Sequence, residues 1–530
     1  MRASQSPYLV GLPRPTSVAV RPSAAVASPR HSWLRPTFTA FLFLVHPLLS
    51  LIRPGWQLRD PGIGWHLAAG RYIVDTHTIP VHDVFSFTAV RPWINCYWLF
   101  DVVGALLERA GGLPLYATAC MLVYACLPVL LYRRMLRMGA SILPALALTL
   151  VAYMVLSSHA VARPHVLTYL LFAIFLERLD DVQRGRRAPR SLWVLVPLAT
   201  LWCNVHGGFV AGLVLVTIFT ADAAARALVT RDGEQVRLAA TFAVLLGALF
   251  LATLLNPYGL GLHRDIAHFL GMTTSRYFDE FRSPDFLVPT VPVRFFELLL
   301  LVTLVVAAAA RERLSSLELA LLAFFLHQAL QSVRHMNLFA IVAAPILARE
   351  LSVMLAAYRP ALTERWRRIA LEQAGLRSAR IYLPAFTGLF LVLAIAGFSR
   401  FPQHLEGLQL TDGAARFIAD HTDRFARPFN TDNLGGALIH RFWPAVHVFF
   451  DDRTFVYGDP FVSDDYLTVR FANRDWEKVL ERYGIDSAVL AADTPIVTVL
   501  RASPAWRLVY EDDANVIFLR AAAVSRSGNS

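Results

Sequence analysis

Arg59–Leu99 reads RDPGIGWHLAAGRYIVDTHTIPVHDVFSFTAVRPWINCYWL. The stretch follows the first long apolar segment directly, yet it collects Asp60, His66, Arg71, Asp75 and Asp83 together with Trp65, Trp93 and Trp98. Connections of this length inside compact proteins are usually functional or disordered. Its aromatic and helix-forming content argues against disorder. The rest of the chain is read as the scaffold that holds this loop.

Composition sets the class. Hydrophobic residues make up 56% and charged residues 17% of 530, and the mean hydropathy is +0.47. Apolar runs near bilayer-crossing length recur through the first three quarters, as in a polytopic membrane protein. The net charge of +11 is not a nucleic-acid signal, because the arginines sit in short loops between apolar runs, where they set orientation. Lys478 is the one lysine. Of four cysteines, Cys120, Cys126 and Cys203 lie in apolar runs and Cys96 in a loop, so no disulfide framework is readable.

Residues 1–31 are rich in Arg, Ser, Pro and Ala, and no acid precedes Asp60. An organelle transit peptide has this composition. Five prolines break any amphipathic helix there, which favours a disordered cytoplasmic tail. Apolar spans follow at about 33–52, 113–132, 140–156, 165–179, 191–205, 208–226, 237–255, 295–310, 317–333, 336–357 and 381–398. They predict about eleven transmembrane helices.

Tyr97–Ala110, which carries Asp101 and Glu108, is read as a helix at the outer membrane surface. With that choice Arg133–Arg137, Arg178–Arg190, Arg226–Arg237, Arg311–Arg313 and Arg359–Arg380 all share the N-terminal, cytoplasmic side. A transmembrane domain over 32–399 then has a large first outer loop, 53–112. The outer side also receives Ser157–His165, Asn204–Gly208, Asn256–Arg294 and Arg334–Asn337. Few ionisable groups lie mid-span, His46, Asp222 and His327 being the main ones, which is unlike an ion-coupled transporter.

Residues 400–522 read as an extracytoplasmic α/β domain, with 523–530 a disordered tail. Strands are expected at Val446–Phe450, Ala488–Ala491, Arg507–Tyr510 and Val516–Leu519, and a helix at Asp475–Tyr483. Pro428–Pro444, PFNTDNLGGALIHRFWP, predicts a Gly-Gly turn entering a helix. A strand ending in Asp451-Asp452-Arg453 offers either a ligand site, as strand ends in α/β domains do, or a buried pair holding this domain against the membrane part.

A long first outer loop with an acid just past the first span, a surface helix, about eleven spans and an outer α/β tail resemble the GT-C superfamily of membrane glycosyltransferases. That superfamily includes protein O-mannosyltransferases, aminoarabinose transferases and oligosaccharyltransferase catalytic subunits. Asp60, Trp65-His66, Gly70-Arg71, Ile79-Pro80, Asp83 and Phe85-Ser86 resemble a bacterial branch grouped there. The resemblance implies transfer of a sugar from a polyprenyl-phosphate or polyprenyl-diphosphate donor to a glycan, lipid or protein acceptor outside a bacterial inner membrane. Membrane lipids are the surroundings, and nucleic acid is not a partner.

Asp60 matches the superfamily's first-loop acid, a general base or metal ligand. Inverting transfer needs a carboxylate near the acceptor nucleophile, and burial can raise its pKa. The residue also suits an N-cap for the helix opening at Pro61, but architecture and placement together favour the catalytic reading of Asp60. Asp83 is the second candidate catalytic acid. Asp279 and Glu280 could complete a Mg²⁺ or Mn²⁺ site with Asp60; no other cofactor is implied. The candidate substrate-binding residues are His66, Arg71, Arg163, His165, His206, Arg334 and His335, with Arg preferred for lipid phosphate because of its bidentate fork. Where oligosaccharyltransferases carry Trp-Trp-Asp-Tyr-Gly, this chain has Asn430-Thr431-Asp432-Asn433-Leu434-Gly435-Gly436, a departure that bears on acceptor choice. A lipid-linked glycan transporter or polymerase and a non-catalytic scaffold of envelope assembly are the alternatives.

Overall fold

The computed structural model describes residues 35–53, 55–310, 313–376, 379–395, 405 and 409–521. The tails expected at 1–31 and 523–530 and the boundary at 399/400 lie outside those residues.

α1 (Phe38–Ile52) opens on Thr37, whose side chain accepts from the Ala40 N–H. α2 (Gly62–Thr76) follows a one-turn 3₁₀ segment. α3 (Trp98–Arg137) is broken at Gly111-Gly112, where Gly112 takes φ +68° and ψ −173°. This break separates the 98–110 helix from the apolar run after it. The first helix buries Asp101 against α2, so the acid read as part of a surface helix is interior.

α4 (Ile142–Leu156), α5 (His165–Gln183), α6 (Leu195–Cys203), α7 (Phe209–Thr230) and α8 (Gly233–Ala252) lead to a short helix α9 (Leu260–Gly271). α10 (Val291–Ala310), α11 (Ser316–Gln331) and α12 (Val333–Tyr358) complete the bundle. α13 (Pro360–Gly375) and α14 (Ala379–Ile395) follow. α12 is the central post: it packs on α3, α4, α5, α10 and α11, and every residue from Met336 to Ala348 is buried.

Among the described residues six helices are long and apolar enough to cross a membrane: α3, α4 with its 3₁₀ extension to His159, α7, α8, α10 and α12. Phe38–Ser50 and Ser316–Gln331 are shorter apolar helices. The expected eleven spans are therefore not all matched by full-length apolar helices. α5 carries Glu177, Arg178, Asp180 and Asp181, and the 191–205 run divides into a 3₁₀ segment and the nine-residue α6.

Arg184 and Arg313, read from sequence as orientation signals, form ion pairs together with Arg349 at the end of the bundle away from Arg59–Leu99. Arg184 joins Asp180 to Glu318, Arg349 joins Glu318 to Glu350, and Arg313 reaches Glu350. These links tie α5, α11 and α12 together.

The C-terminal unit holds α15 (Asp412–Asp420), β1 (Pro428–Asn430), α16 (Asp432–Phe442), α17 (Thr454–Tyr457), α18 (Leu467–Arg470), α19 (Trp476–Arg482), β2 (Ser487–Ala491), α20 (Ile496–Ala502), β3 (Trp506–Glu511) and β4 (Asn515–Arg520). Its sheet order is β1-β2-β4-β3, with β1 parallel to β2 and the other pairs antiparallel. Val446–Phe450 is not a strand of this sheet. The Asn430 side chain takes its backbone instead, accepting from Phe449 N and donating to Phe450 O, and Val448 bridges Ser86 of the first loop. Gly435-Gly436 is not a turn but lies inside α16. A Cβ on Gly436 would meet Pro61 O at 1.8 Å and one on Gly64 would meet Gly436 O at 2.0 Å. The glycines let α2 and α16 touch backbone to backbone. Trp65, Phe85 and Trp93 of the first loop share one core with Phe429, Leu438 and Phe450.

Candidate functional site

The site begins where the chain enters α2. Asp60 Oδ1 accepts from Gly62 N at 2.9 Å and from Arg163 Nη1 at 2.9 Å. The same carboxylate thus closes the helix start and holds a guanidinium. Arg163 stands before Pro164 at the mouth of α5, where Ala162 N donates to Gln57 O and Val166 N donates to Arg163 O. Its Nη1 also lies 3.2 Å from Asp452 Oδ2, and Trp65 Nε1 donates to Asp452 Oδ1 at 2.6 Å. A carboxylate from the C-terminal unit therefore meets the first loop and the mouth of α5 on one cation. Burial pushes the Asp60 carboxyl up and raises Asp452 to about 7, in both cases against the pull of Arg163.

A pocket opens beside this cluster. Trp65, Tyr97, Arg163, Pro164, His165, His206, Glu280, Arg334 and Asp452 line it, with Phe269, Phe281, Thr454 and Phe455. Asp60 sits just behind its wall, on Arg163. Glu280 Oε1 is 3.7 Å from Arg334 Nη1, and the Arg334 guanidinium lies over the Phe281 ring. His206 Nδ1 faces Gly208 N at 2.8 Å and the Thr168 hydroxyl at 2.8 Å. The fixed backbone N–H makes Nδ1 the acceptor and leaves the ring proton on Nε2. Nε2 is 3.1 Å from Arg334 Nη2. The Arg334 and Arg163 guanidiniums, which line the pocket together with His206, form a surface suited to an anion.

Of the sequence-derived candidates, Arg163, His165, His206, Glu280 and Arg334 line the pocket. His165 Nε2 donates to His159 O, which fixes its ring. His335 follows Arg334 on α12 but is not part of the lining. His66 is buried one layer down: its Nδ1 is 2.6 Å from Asp101 Oδ1 and its ring stacks under Trp65 at 3.6 Å.

Arg71 lies away from the pocket, donating to His440 O at the end of α16. Asp83 is likewise apart. It receives Arg453 Nη1 at 2.7 Å and Nη2 at 3.2 Å, while Asp451 takes the other edge of the same guanidinium. The ion-paired trio that locks the C-terminal unit to the first loop is thus Arg453 with Asp83 and Asp451, while Asp452 lines the pocket. Asp279 is 94% exposed and pairs with Arg282, so it does not join Asp60.

The residues do not make a metal site of the expected kind. Among the described residues no group of three or more His, Cys, Asp or Glu side chains could hold a metal ion. The Asp451-Asp452-Arg453 segment offers two readings from sequence, a ligand site or a buried pair; Asp452 lines the pocket, while the buried ion pair is Arg453 with Asp451. The role of Asp452 as a pocket wall had one signal, an acid doubled at the end of an apolar run.

No family model and no characterised protein matches this sequence. The fold, however, has solved counterparts. The oligosaccharyltransferase of Archaeoglobus fulgidus in the apo form superposes with a TM-score of 0.54 at 12% identity, over 87% of this chain and 70% of that one. The archaeal oligosaccharyltransferase AglB from Archaeoglobus fulgidus, in complex with an inhibitory peptide and a dolichol-phosphate, gives 0.53 at 12% identity over 91% and 74%. At this identity the likeness is one of fold.

Proposed function

We propose that the protein is an integral membrane glycosyltransferase that moves a sugar from a polyprenyl-phosphate-linked donor to an acceptor at the outer face of a bacterial inner membrane. The observation that carries the reading is the convergence of Arg163, Arg334 and the His206 Nε2–H on one pocket also walled by Asp452, with Asp60 directly behind. The GT-C-like fold supports it, since a structure of that fold binds a dolichol-phosphate and a peptide.

The acceptor X–H gives its proton to a carboxylate of the Asp60–Asp452 pair as X attacks the anomeric carbon. The bond from that carbon to the donor phosphate oxygen breaks, and its electron pair stays on the phosphate. The two arginines and His206 Nε2–H then hold the leaving phosphate where negative charge develops. The acceptor is a glycan, lipid or protein group; the changed sequence at 430–436 leaves no ground for preferring a peptide sequon.

The N-terminus is cytoplasmic in this reading, and residues 400–522 form the extracytoplasmic domain. Reporter fusions after Arg137 and after Asp459 test the orientation, with a cytoplasmic signal expected at the first site alone. The function is tested by deleting the gene and profiling envelope glycoconjugates by mass spectrometry. Loss of one sugar, restored by the wild-type gene and not by Arg163→Ala, is expected; an unchanged profile would remove the proposal.

A further inference from the structure

Asp60 and Asp452 are two carboxylates brought to one place from positions 392 residues apart in the chain (452 minus 60). Two such acids are half of an oxygen site for Mg²⁺ or Mn²⁺, which take about six ligands at close range. The space between them is filled otherwise. We infer that the Arg163 guanidinium is the resident cation of this site, standing where a divalent metal would have to bind and closing the acid pair to it.

Three observations carry this. First, three of the four carboxylate oxygens are already engaged: Asp60 Oδ1 accepts from Gly62 N and Arg163, Asp452 Oδ1 accepts from Trp65, and Asp452 Oδ2 is ion-paired with Arg163 Nη1 at 3.2 Å. Among the described residues Asp60 Oδ2 alone of the four has no such partner. Second, the main chain is cut to fit the guanidinium. A Cβ on Gly62 would meet Asp452 Oδ2 at 2.6 Å, Arg163 Cζ at 2.7 Å and Arg163 Nη2 at 2.9 Å, so the bare glycine makes room for the ion pair. Third, the nearby groups that could complete a metal shell are occupied or turned away. His206 spends Nδ1 on Gly208 N, Glu280 faces Arg334, and Asp279 is exposed on Arg282.

A guanidinium does not dissociate and cannot lose its charge in a protein. It presents N–H donors in a plane, so one edge can hold the acids while another faces an anion. A metal at the same place would sit against Arg163 and be repelled by it. The pair therefore serves an anionic substrate with a covalently fixed cation. The identity of that substrate as a donor phosphate rests on the proposed function; the closure to metal does not.

The test uses the full chain in lipid nanodiscs, with Mn²⁺ as the probe followed by electron paramagnetic resonance and undecaprenyl phosphate as the lipid probe. Wild-type protein is expected to hold no Mn²⁺ at the acid pair, and EDTA is expected to leave its undecaprenyl phosphate binding unchanged. Arg163→Ala, and Arg163→Gln should the first misfold, is expected to bind Mn²⁺ at least tenfold more tightly than wild type. Adding Asp452→Asn should abolish that gain. Wild-type Mn²⁺ binding that Asp60→Asn or Asp452→Asn removes would overturn the inference. So would folded Arg163 variants that gain no Mn²⁺, or lipid binding lost on adding EDTA. Absence of undecaprenyl phosphate binding, with the Mn²⁺ pattern as expected, would instead remove the donor assignment and leave the resident cation standing.

Discussion

Trp65 and Asp452, 387 residues apart, are joined by a 2.6 Å hydrogen bond from the indole N–H to the carboxylate. The bond orients the one acid of the C-terminal unit that, among the described residues, reaches the pocket, and it stabilises the charged form of that acid.

Burial raises Asp452 from its ordinary 3.8 to about 7, and Asp60 is raised with it. Titration near neutrality then belongs to the pair. The sign follows from where the proton is held more tightly. The folded state binds it better, so this group's contribution to stability is full below the unfolded value and declines as pH rises from about 4 to about 7. Infrared pH titration should show a protonated-carboxyl band disappearing with a midpoint near 7. Asp452→Asn should remove or displace that step, and Trp65→Phe should move it upward by withdrawing the donor. A band unchanged in Asp452→Asn would assign the titration to another acid.

Arg453 is fully buried between Asp83 and Asp451, with its Cζ 4.6 Å from the centre of the Trp93 ring. Removing one partner of such an ion pair leaves a buried charge uncompensated, at a cost of about 3–5 kcal/mol. Asp83→Asn and Arg453→Met should therefore lower the unfolding temperature and expose the C-terminal unit to limited proteolysis. Activity should fall in step with the folded fraction. An Asp83→Asn protein of wild-type stability that is inactive would return Asp83 to the chemistry.

The first loop, the N-cap at Asp60 and the cations Arg163 and Arg334 were legible because each sits at a local signal: a Pro-started helix, an Arg-Pro step at a helix mouth, and an Arg-His pair after a polar break. The pairing of Asp83 was not legible, for the opposite reason. Its partner Arg453 is 370 residues away, and no local pattern distinguishes a buried ion pair from a catalytic acid. Hydropathy found the apolar runs but not their lengths as helices, because charges at the end of α5 and the 3₁₀ segment before α6 shorten what an apolar count treats as whole. Gly435-Gly436 looked like a turn since glycine usually punctuates helices; the need for them appears only when α2 lies against α16.

That contact gives a sharp contrast between glycines. Gly436→Ala and Gly64→Ala would drive a methyl into backbone atoms at 1.8 and 2.0 Å, whereas a Cβ on Gly247 in α8 meets nothing within 4 Å. Overpacking of this kind costs about 1–3 kcal/mol, and more where backbone must move. Both α2–α16 variants should lower thermal stability, and Gly247→Ala should raise it by up to about 1 kcal/mol, the helix preference of Ala over Gly. Wild-type stability for Gly436→Ala would mean that α2 and α16 do not meet as described.

Arg334 is the cation best placed to report on the donor. It lines the pocket, lies over Phe281, and faces a His206 Nε2 that already carries a proton. Loss of a hydrogen bond to a charged group is worth about 1.5–3 kcal/mol. Arg334→Ala should accordingly weaken polyprenyl phosphate binding by roughly ten- to over a hundredfold. Arg334→Lys should recover part of this, since it restores the charge but not the planar fork. His206→Gln keeps a side-chain N–H donor and should cost less than His206→Leu, which has none. Neutral polyprenol, which lacks the phosphate, should bind wild type and Arg334→Ala alike. Polyprenyl phosphate affinity unchanged in folded Arg334→Ala, measured by titration in detergent, would assign this arginine to Glu280 alone and move the donor site elsewhere.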